Sequence, residues 1–462
     1  MTTSPSLEQL FRPSSAAVIG ASNYTQKGGG FLLKGLINNK FKGKLHPVNP
    51  RETEVLGLKS YATVTDIPGE VDLAIIAVSA RLVPQIMSEC ARKGVKFAVI
   101  HSVGFAELGV EGEALQKETL EIARQSGMRF VGPNCMGLCC PQSGLNTIVP
   151  LVNLNGKSGW VAFLGQSGWV TGNFIQMGNE RGLRFSKVVS VGNQADLTVE
   201  DYLEYLAADD KTRVITGYIE GVKDGRRLLQ LVERISRSKP VIMWKAGRTE
   251  AGVRAAASHT AALAGDSAIF DIALKQKGAI IAHNLEELVD LAIGFGCPVL
   301  PQGNRLGVVV EAGGGGVAIA DNHQALGLEM PVLSEGLQKE LASTLKDSVV
   351  AFPNLQNPVD IVWPLNWATG WAIRQCLRVT LKEVDAAIAI DYAPLKEPLA
   401  KELATLRDET AKPIIIIPGN STEQERGMSR LVTKGIPSFA IPERALKVLA
   451  AMVSYANFRR HS

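Results

Sequence analysis

The sequence predicts an α/β protein of three successive domains, each built on an open, mostly parallel sheet. Two observations lead there. Short, almost wholly apolar runs alternate with longer amphipathic ones along the whole chain, as strands covered on both faces and their crossover helices do. Glycine, 45 of 462 residues, gathers where those apolar runs end, and strand-to-helix turns need its tolerance of close backbone approach. Length adds a third argument. At roughly 150 residues per domain, 462 residues call for more than one core.

The first domain is expected over 1–150, with strands at Ser15–Ile19, Lys44–Val48, Val71–Val78, Phe97–Ile100 and Arg129–Val131. Crossover helices are expected at Arg81–Lys93 and Glu113–Ser126. This βαβ progression favours a parallel sheet. The second domain, 151–300, repeats the pattern at Trp160–Leu164, Lys187–Val191, Arg213–Ile219, Pro240–Trp244 and Ala279–Ala282. It is expected to end at the proline- and glycine-bearing stretch near 300. The third domain, 301–462, opens with Arg305–Val310 and the run Gly313–Gly316. Strands at Asp385–Ile390 and Pro413–Ile417 follow, then a helix from Pro442 to Tyr455 and a basic tail.

Composition excludes several classes. Hydrophobic residues make up 46% and charged residues 20%, which is globular rather than disordered. A net charge of +4 implies neither a nucleic-acid nor a membrane partner. Six cysteines without a C-x-x-C pair read as free thiols in a reducing cytosol. The N-terminus lacks the apolar core of a signal peptide, and no uncharged run reaches the roughly 20 apolar residues of a membrane span. A cytoplasmic location is expected.

Four sites carry chemistry. Gly20-Ala21-Ser22-Asn23, running on to Lys27 and Gly28-Gly29-Gly30, follows the first strand and opens onto a helix. Such a turn presents backbone N–H groups to phosphate oxygens, with Lys27 as an added charge; a purely structural turn is the alternative. The second strand ends at Asn49 and Arg51 without the carboxylate that holds a dinucleotide's ribose. That argues against an NAD-dependent oxidoreductase and tolerates a ligand with extra phosphate, such as coenzyme A. Asn134 follows the fifth strand, at the edge where open sheets bind ligands. Beside it, Cys135 has no nearby histidine to activate it as a nucleophile.

The remaining two sites lie in the second domain. Gly165-Gln166-Ser167-Gly168 lacks the spacing of a hydrolase nucleophile elbow. It reads either as a phosphate-holding turn or as a plain helix cap. His259 is hemmed by small residues in Ser258-His259-Thr260-Ala261. It is either a nucleophile that accepts a phosphoryl group or a hydrogen-bonded structural histidine. Glu220 ends a strand before a glycine and can orient an imidazole, or simply stand in solvent. The other histidines show no metal-ligand spacing, so no metal site is expected.

In this order the motifs resemble the alpha subunits of the NDP-forming acyl-CoA synthetases, of the ADP-forming acetate–CoA ligase type. Over about the first 300 residues the chain is also similar to the succinyl-CoA synthetase alpha subunit. The resemblance implies a Rossmann-like CoA-binding domain followed by two flavodoxin-like domains. It implies CoA contacts from Gly20, Ser22, Lys27, Asn49, Arg51 and Asn134, and phosphate contacts from Gln166, Ser167 and Gly168. His259 matches the family's phosphorylated histidine and Glu220 its partner. The implied reaction joins a carboxylic acid to CoA at the expense of ATP, through acyl phosphate and phosphohistidine. ATP, ADP and Mg²⁺ are implied to bind mainly on a separate ATP-grasp beta subunit, since no G-x-x-x-x-G-K-[ST] string occurs here. Departures stand at Gly165, where serine is usual, at Ala261, where glycine is usual, and at Gly315, Trp363 and Trp367. They leave a noncatalytic CoA-binding regulatory or scaffold subunit as the alternative.

Overall fold

The computed structural model describes residues 6–148, 154, 156–254, 267–365, 369–419 and 424–461. The first sheet has five parallel strands, in spatial order Lys44–Val48, Ser15–Ile19, Leu73–Ile76, Phe97–Ile100 and Arg129–Val131. Strand periodicity sorts its side chains between two cores. Ala16, Val18, Leu73, Ile75, Phe97 and Val99 pack on one face, with Leu32, Leu33 and Leu36 of the helix Gly28–Asn38. Ala17, Ile19, Ala74, Ile76, Ala98 and Ile100 pack on the other, with Met87 and Cys90 of the helix Val83–Lys93. That helix carries Pro84 in its first turn and stops at Gly94 with φ of 81°, the usual proline-start, glycine-stop asymmetry. The second crossover helix runs Val110–Ser126, three residues longer at its start than expected.

The second sheet has seven strands, in the order Ile280–Ile281, Val241–Lys245, Val214–Ile219, Ser158–Gly165, Phe185–Ser190, Gly137–Cys140 and Leu145–Asn146. Its first five are parallel, and the last two add an antiparallel hairpin at one edge. The sequence reading did not foresee the hairpin, because strands of four and two residues are too short to show an alternation. It also places residues 137–146, expected in the first domain, on the second sheet.

The third sheet runs Val349–Asn354, Val359–Pro364, Leu306–Val310, Ala386–Asp391 and Ile414–Pro418, with only the first strand antiparallel. The first two strands were likewise not expected. Pro353 and Pro364 obscure them, and proline is tolerated at an edge or a strand end. The closing helix spans Pro442–His461 and absorbs the expected basic tail. Arg459, Arg460 and His461 lie in its last turn, where positive charge suits the helix dipole.

The chain divides into two compact units, Met1–Gln176 with Arg184–Leu285, and Met177–Leu183 with Glu286–Ser462. The first holds the first two sheets and the second holds the third. The helix Leu285–Phe295, expected in the second domain, has nearly all its length in the second unit. There a Cβ on Gly294 would stand 2.1 Å from Val448, so only glycine lets the closing helix approach so near. Asp290 accepts from Arg181 at 2.5 Å and from Arg444 at 2.6 Å within the same unit. Among the described residues no helix is long and apolar enough to cross a membrane. All six cysteines are buried.

Candidate active site

The carboxyl ends of the first sheet's strands gather the first group of predicted residues. Gly20 leaves its strand with φ of 83°, and a Cβ there would lie 2.5 Å from the Ala77 carbonyl. Cβ atoms on Gly29 and Gly30 would lie 2.3 Å from the carbonyls of Gly20 and Tyr24. The turn is thus folded against itself, which only glycine permits. Lys27 is the N-cap of the helix Gly28–Asn38 and makes no side-chain capping bond. Ser22 turns inward, its hydroxyl donating to the Tyr24 carbonyl at 3.3 Å. Asn49 ties the second strand to this turn. Its Nδ2 donates to the Ala21 carbonyl at 2.7 Å, and its Oδ1 accepts from the Arg51 N–H at 2.9 Å. The Arg51 side chain is exposed.

Asn134 has φ of 56° and follows the cis peptide Gly132–Pro133. Its Nδ2 donates to Asn193 Oδ1 at 3.3 Å, and Asn193 donates in turn to Glu107 at 2.6 Å. The turn that bears Asn134 is therefore locked onto the loop after the strand Phe185–Ser190. Beside the glycine turn lies a cleft of about 640 Å³, lined by Gly28, Val78, Arg81, His101, Val103 and Leu108 among others. Gly28 belongs to the predicted glycine turn, whereas Asn49 and Asn134 are not among the lining residues. Arg81 and His101 were not predicted as site residues. Their one signal was position, each just past an apolar strand of the sheet. Burial drives the His101 imidazole down to about 4, so it is neutral near pH 7. Burial also pushes the Cys135 thiol up to about 12, which removes it as a nucleophile.

The second group forms at the matching edge of the second sheet. Ser158–Gly165 ends in the Gly165–Gly168 turn, and the helix Gly168–Glu180 follows. Ser167 Oγ accepts from the Val170 N–H at 3.3 Å, a helix cap. A Cβ on Gly168 would stand 2.8 Å from Met136, and one on Gly165 only 2.1 Å from Thr171 Oγ1. The departure from serine at Gly165 thus has a steric reason: Thr171 fills the space. Gln166 spends its carboxamide on the Glu220 turn. Its Nε2 donates to the Gly221 carbonyl at 2.8 Å, and its Oε1 accepts from the Gly221 N–H at 2.8 Å and from the Glu220 N–H.

Glu220, only 5% exposed, follows the strand Val214–Ile219. Lys245, only 3% exposed, donates from Nζ to the Glu220 carbonyl at 2.9 Å and to the Ala246 carbonyl at 2.7 Å. Burial lowers the Lys245 pKa, while the charges of Glu220 and Asp271 oppose that. Tyr218 is pushed up to about 12 by burial, by the charge of Glu220 and by a hydrogen bond to it. A cleft of about 360 Å³ opens here, with Glu220, Gly221, Lys245, Ile269 and Phe270 on its walls. His259 and Ala261 lie outside the described residues. Arg248 before that segment and Asp271 after it form an ion pair of 2.9 Å. Lys245 was missed as a site residue, although a lysine closing the apolar run Val241–Trp244 was its visible signal. Among the described residues no group of three His, Cys, Asp or Glu could hold a metal ion.

Comparison with known proteins bears on both edges. Residues 14–141 match the family model described as a CoA binding domain. Residues 158–295 match that of a succinyl-CoA ligase like flavodoxin domain. The chain is 39% identical over 459 residues to the alpha subunit of the ADP-forming acetate–CoA ligase II of Pyrococcus furiosus, covering 97% of this chain and 98% of that one. It is 36% identical over 466 residues to the isozyme I alpha subunit of the same organism, covering 98% of each chain. Among solved structures, the Ca. Korarchaeum cryptofilum acetyl-coenzyme A synthetase 1, in complex with phosphate and ADP, superposes with a TM-score of 0.87. It is 35% identical, with 98% of both chains covered.

Proposed function

This chain belongs to the family of ADP-forming acetate–CoA ligase alpha subunits, and on that premise we propose how its residues divide the work. The chain is an acid–thiol ligase subunit that interconverts carboxylate, CoA and ATP with acyl-CoA, ADP and phosphate. The cleft of the first sheet takes CoA, with the Gly20–Gly30 turn and the start of its helix facing the phosphates. The division into domains at 1–150, 151–300 and 301–462 belongs to the same reading.

In the acyl-CoA to ATP direction, a phosphate oxygen attacks the thioester carbonyl. The C–S bond breaks, and CoA leaves as a thiol with the proton released. His259 then attacks phosphorus, and the carboxylate departs as the P–O bond breaks. ADP finally takes the phosphoryl group as the N–P bond breaks. Glu220 orients the imidazole through its N–H and balances the positive charge that develops on it. Gln166 and Lys245 keep the Glu220 turn in place, while Ser167, Gly168 and the helix start behind them hold phosphate. ATP, ADP and Mg²⁺ belong to an ATP-grasp beta subunit as partner, and the complex works in the cytoplasm.

The observation that carries this reading is the buried Glu220, braced from both sides at a cleft lined by Lys245 and Ile269, which stand before and after the His259 segment in the sequence. Its test mixes the chain with its partner subunit, Mg-ATP, CoA and a panel of acids, and records intact mass at non-acidic pH. Wild type gains one phosphoryl group, His259→Ala gains none, and one acid with CoA discharges it. If CoA binds but no adduct forms with a verified active partner, the chain is a CoA-binding scaffold instead.

A further inference from the structure

The sheet edge that bears Glu220 also holds a buried cation. Lys245 closes the strand Val241–Lys245, where it stands opposite Ile219 of the next strand. That strand in turn sets Tyr218 against Gly165, at the start of the Gly165–Gly168 turn. Lys245 is thus two strands from the turn, and its side chain reaches back over the end of the strand between them. There its Nζ donates to the Glu220 carbonyl at 2.9 Å, and a second bond goes to the Ala246 carbonyl at 2.7 Å. The residue is only 3% exposed.

Both acceptors are neutral, so neither answers the charge. An ammonium has three N–H donors, and these two bonds spend two of them. Among the described residues Lys245 forms no ion pair. The carboxylates whose charges act on it are Glu220 and Asp271. Asp271 is paired with Arg248 at 2.9 Å, and Glu220 receives a hydrogen bond from Tyr218. A buried cation without an anion in contact is costly.

Lys245 lines the cleft of about 360 Å³ together with Glu220 and Gly221, and Gly221 exchanges two hydrogen bonds with Gln166 of the Gly165–Gly168 turn. Other walls are apolar, Val222, Leu228 and Phe270 among them. The Phe270 ring centroid stands 5.7 Å from Lys245 Nζ. Such walls strengthen a contact between charges and keep water from it. Glu220 shares the cleft, and its carboxylate repels any dianion that arrives there. A phosphoryl group at this edge therefore needs a cation, and Lys245 is the cation among the described residues that line the cleft.

We propose that Lys245 is a further catalytic residue, whose remaining N–H donates to an oxygen of the phosphoryl group as it passes through this cleft. This rests on the ligase reading above. The ammonium keeps its protons, and the bonds made and broken at phosphorus are those already given. Its charge offsets that of Glu220 and answers the negative charge spread over the phosphoryl oxygens during transfer. Bracing the Glu220 turn and touching the phosphoryl group are two tasks of one side chain, and only the second makes phosphate affinity depend on it.

The test uses the holoenzyme in the acyl-CoA to ATP direction, with the acyl-CoA of whichever acid discharges the adduct. Lys245→Met keeps the bulk of the side chain and loses its donors. Its KM for inorganic phosphate should rise at least about tenfold, the order of one charge-assisted hydrogen bond. KM for acyl-CoA and for ADP should move little. Lys245→Arg, which keeps the cation, should recover part of the phosphate KM. If kcat falls in Lys245→Met while KM for phosphate holds, Lys245 only braces the turn, and the proposal fails while the ligase reading stands. If wild type forms no phosphoryl adduct with a verified active partner, the ligase reading fails. Titration calorimetry of inorganic phosphate against this chain then decides: tighter binding by wild type than by Lys245→Met keeps the anion site, and equal or absent binding removes it. Should Lys245→Met misfold, Lys245→Gln, whose amide can still donate to a carbonyl, takes its place in each measurement.

Discussion

Glu220 and Glu311 both follow a parallel strand, yet the molecule treats them differently. Glu220 is braced through its backbone and meets a tyrosine hydroxyl with its side chain. The Lys245 ammonium holds its carbonyl, Gln166 grips its backbone and Tyr218 hydrogen-bonds to it. Glu311 faces Asp391, while Arg374 is drawn off to Glu402. The first arrangement fixes where the carboxylate stands, ready to orient a neighbouring base. The second favours a retained proton. A strand-end carboxylate takes its role from the charges around it.

The largest expected effect isolates the first edge. His259→Ala should lower acid-dependent turnover by about a thousandfold or more, as loss of a covalent nucleophile does. Next, Glu220→Gln should cost roughly 10–100-fold in kcat, the usual cost of losing a partner that orients a histidine. Substrate KM should move little. An effect mainly on KM would place Glu220 in binding rather than in orientation.

Two stability tests sharpen the account of the first edge. Gly165→Ser forces a Cβ to within 2.1 Å of Thr171 Oγ1, so it should destabilise by about 1–3 kcal/mol as overpacking does. Adding Thr171→Ala should recover part of that in denaturant melts. Gln166→Ala removes the acceptor of two backbone N–H groups and should cost about 1–3 kcal/mol.

The smallest effect concerns pH. The Glu311 carboxyl rises from its usual 4.5 to about 7, so between those values the folded chain binds more protons than the unfolded one. Stability contributed by this group is thus present at the acid end and is lost as pH rises toward about 7. Glu311→Gln cannot ionise. Its melting temperature relative to wild type should therefore climb across that window, and a flat difference would mean that Glu311 is ordinarily ionised.

The sequence by itself determined the parallel core of each of the three sheets and its turns, because strands buried on both faces must be apolar and their exits need glycine. It also picked out Gly20, Glu220 and the Gly165–Gly168 turn, since each sits directly past an apolar run. Tertiary structure alone decided the rest. The hairpin Gly137–Cys140 with Leu145–Asn146 joined the second sheet because pairing, not periodicity, holds such short strands. Gln166, distant in sequence from Glu220, became its brace through the register that sets Gly165 against Tyr218. Lys245 entered the site through the next strand, where Ile219 faces it. The Glu311–Asp391 pair came from the register of two strands about eighty residues apart. Local composition records which residues are buried, whereas charge pairing across strands depends on which of them the fold brings together.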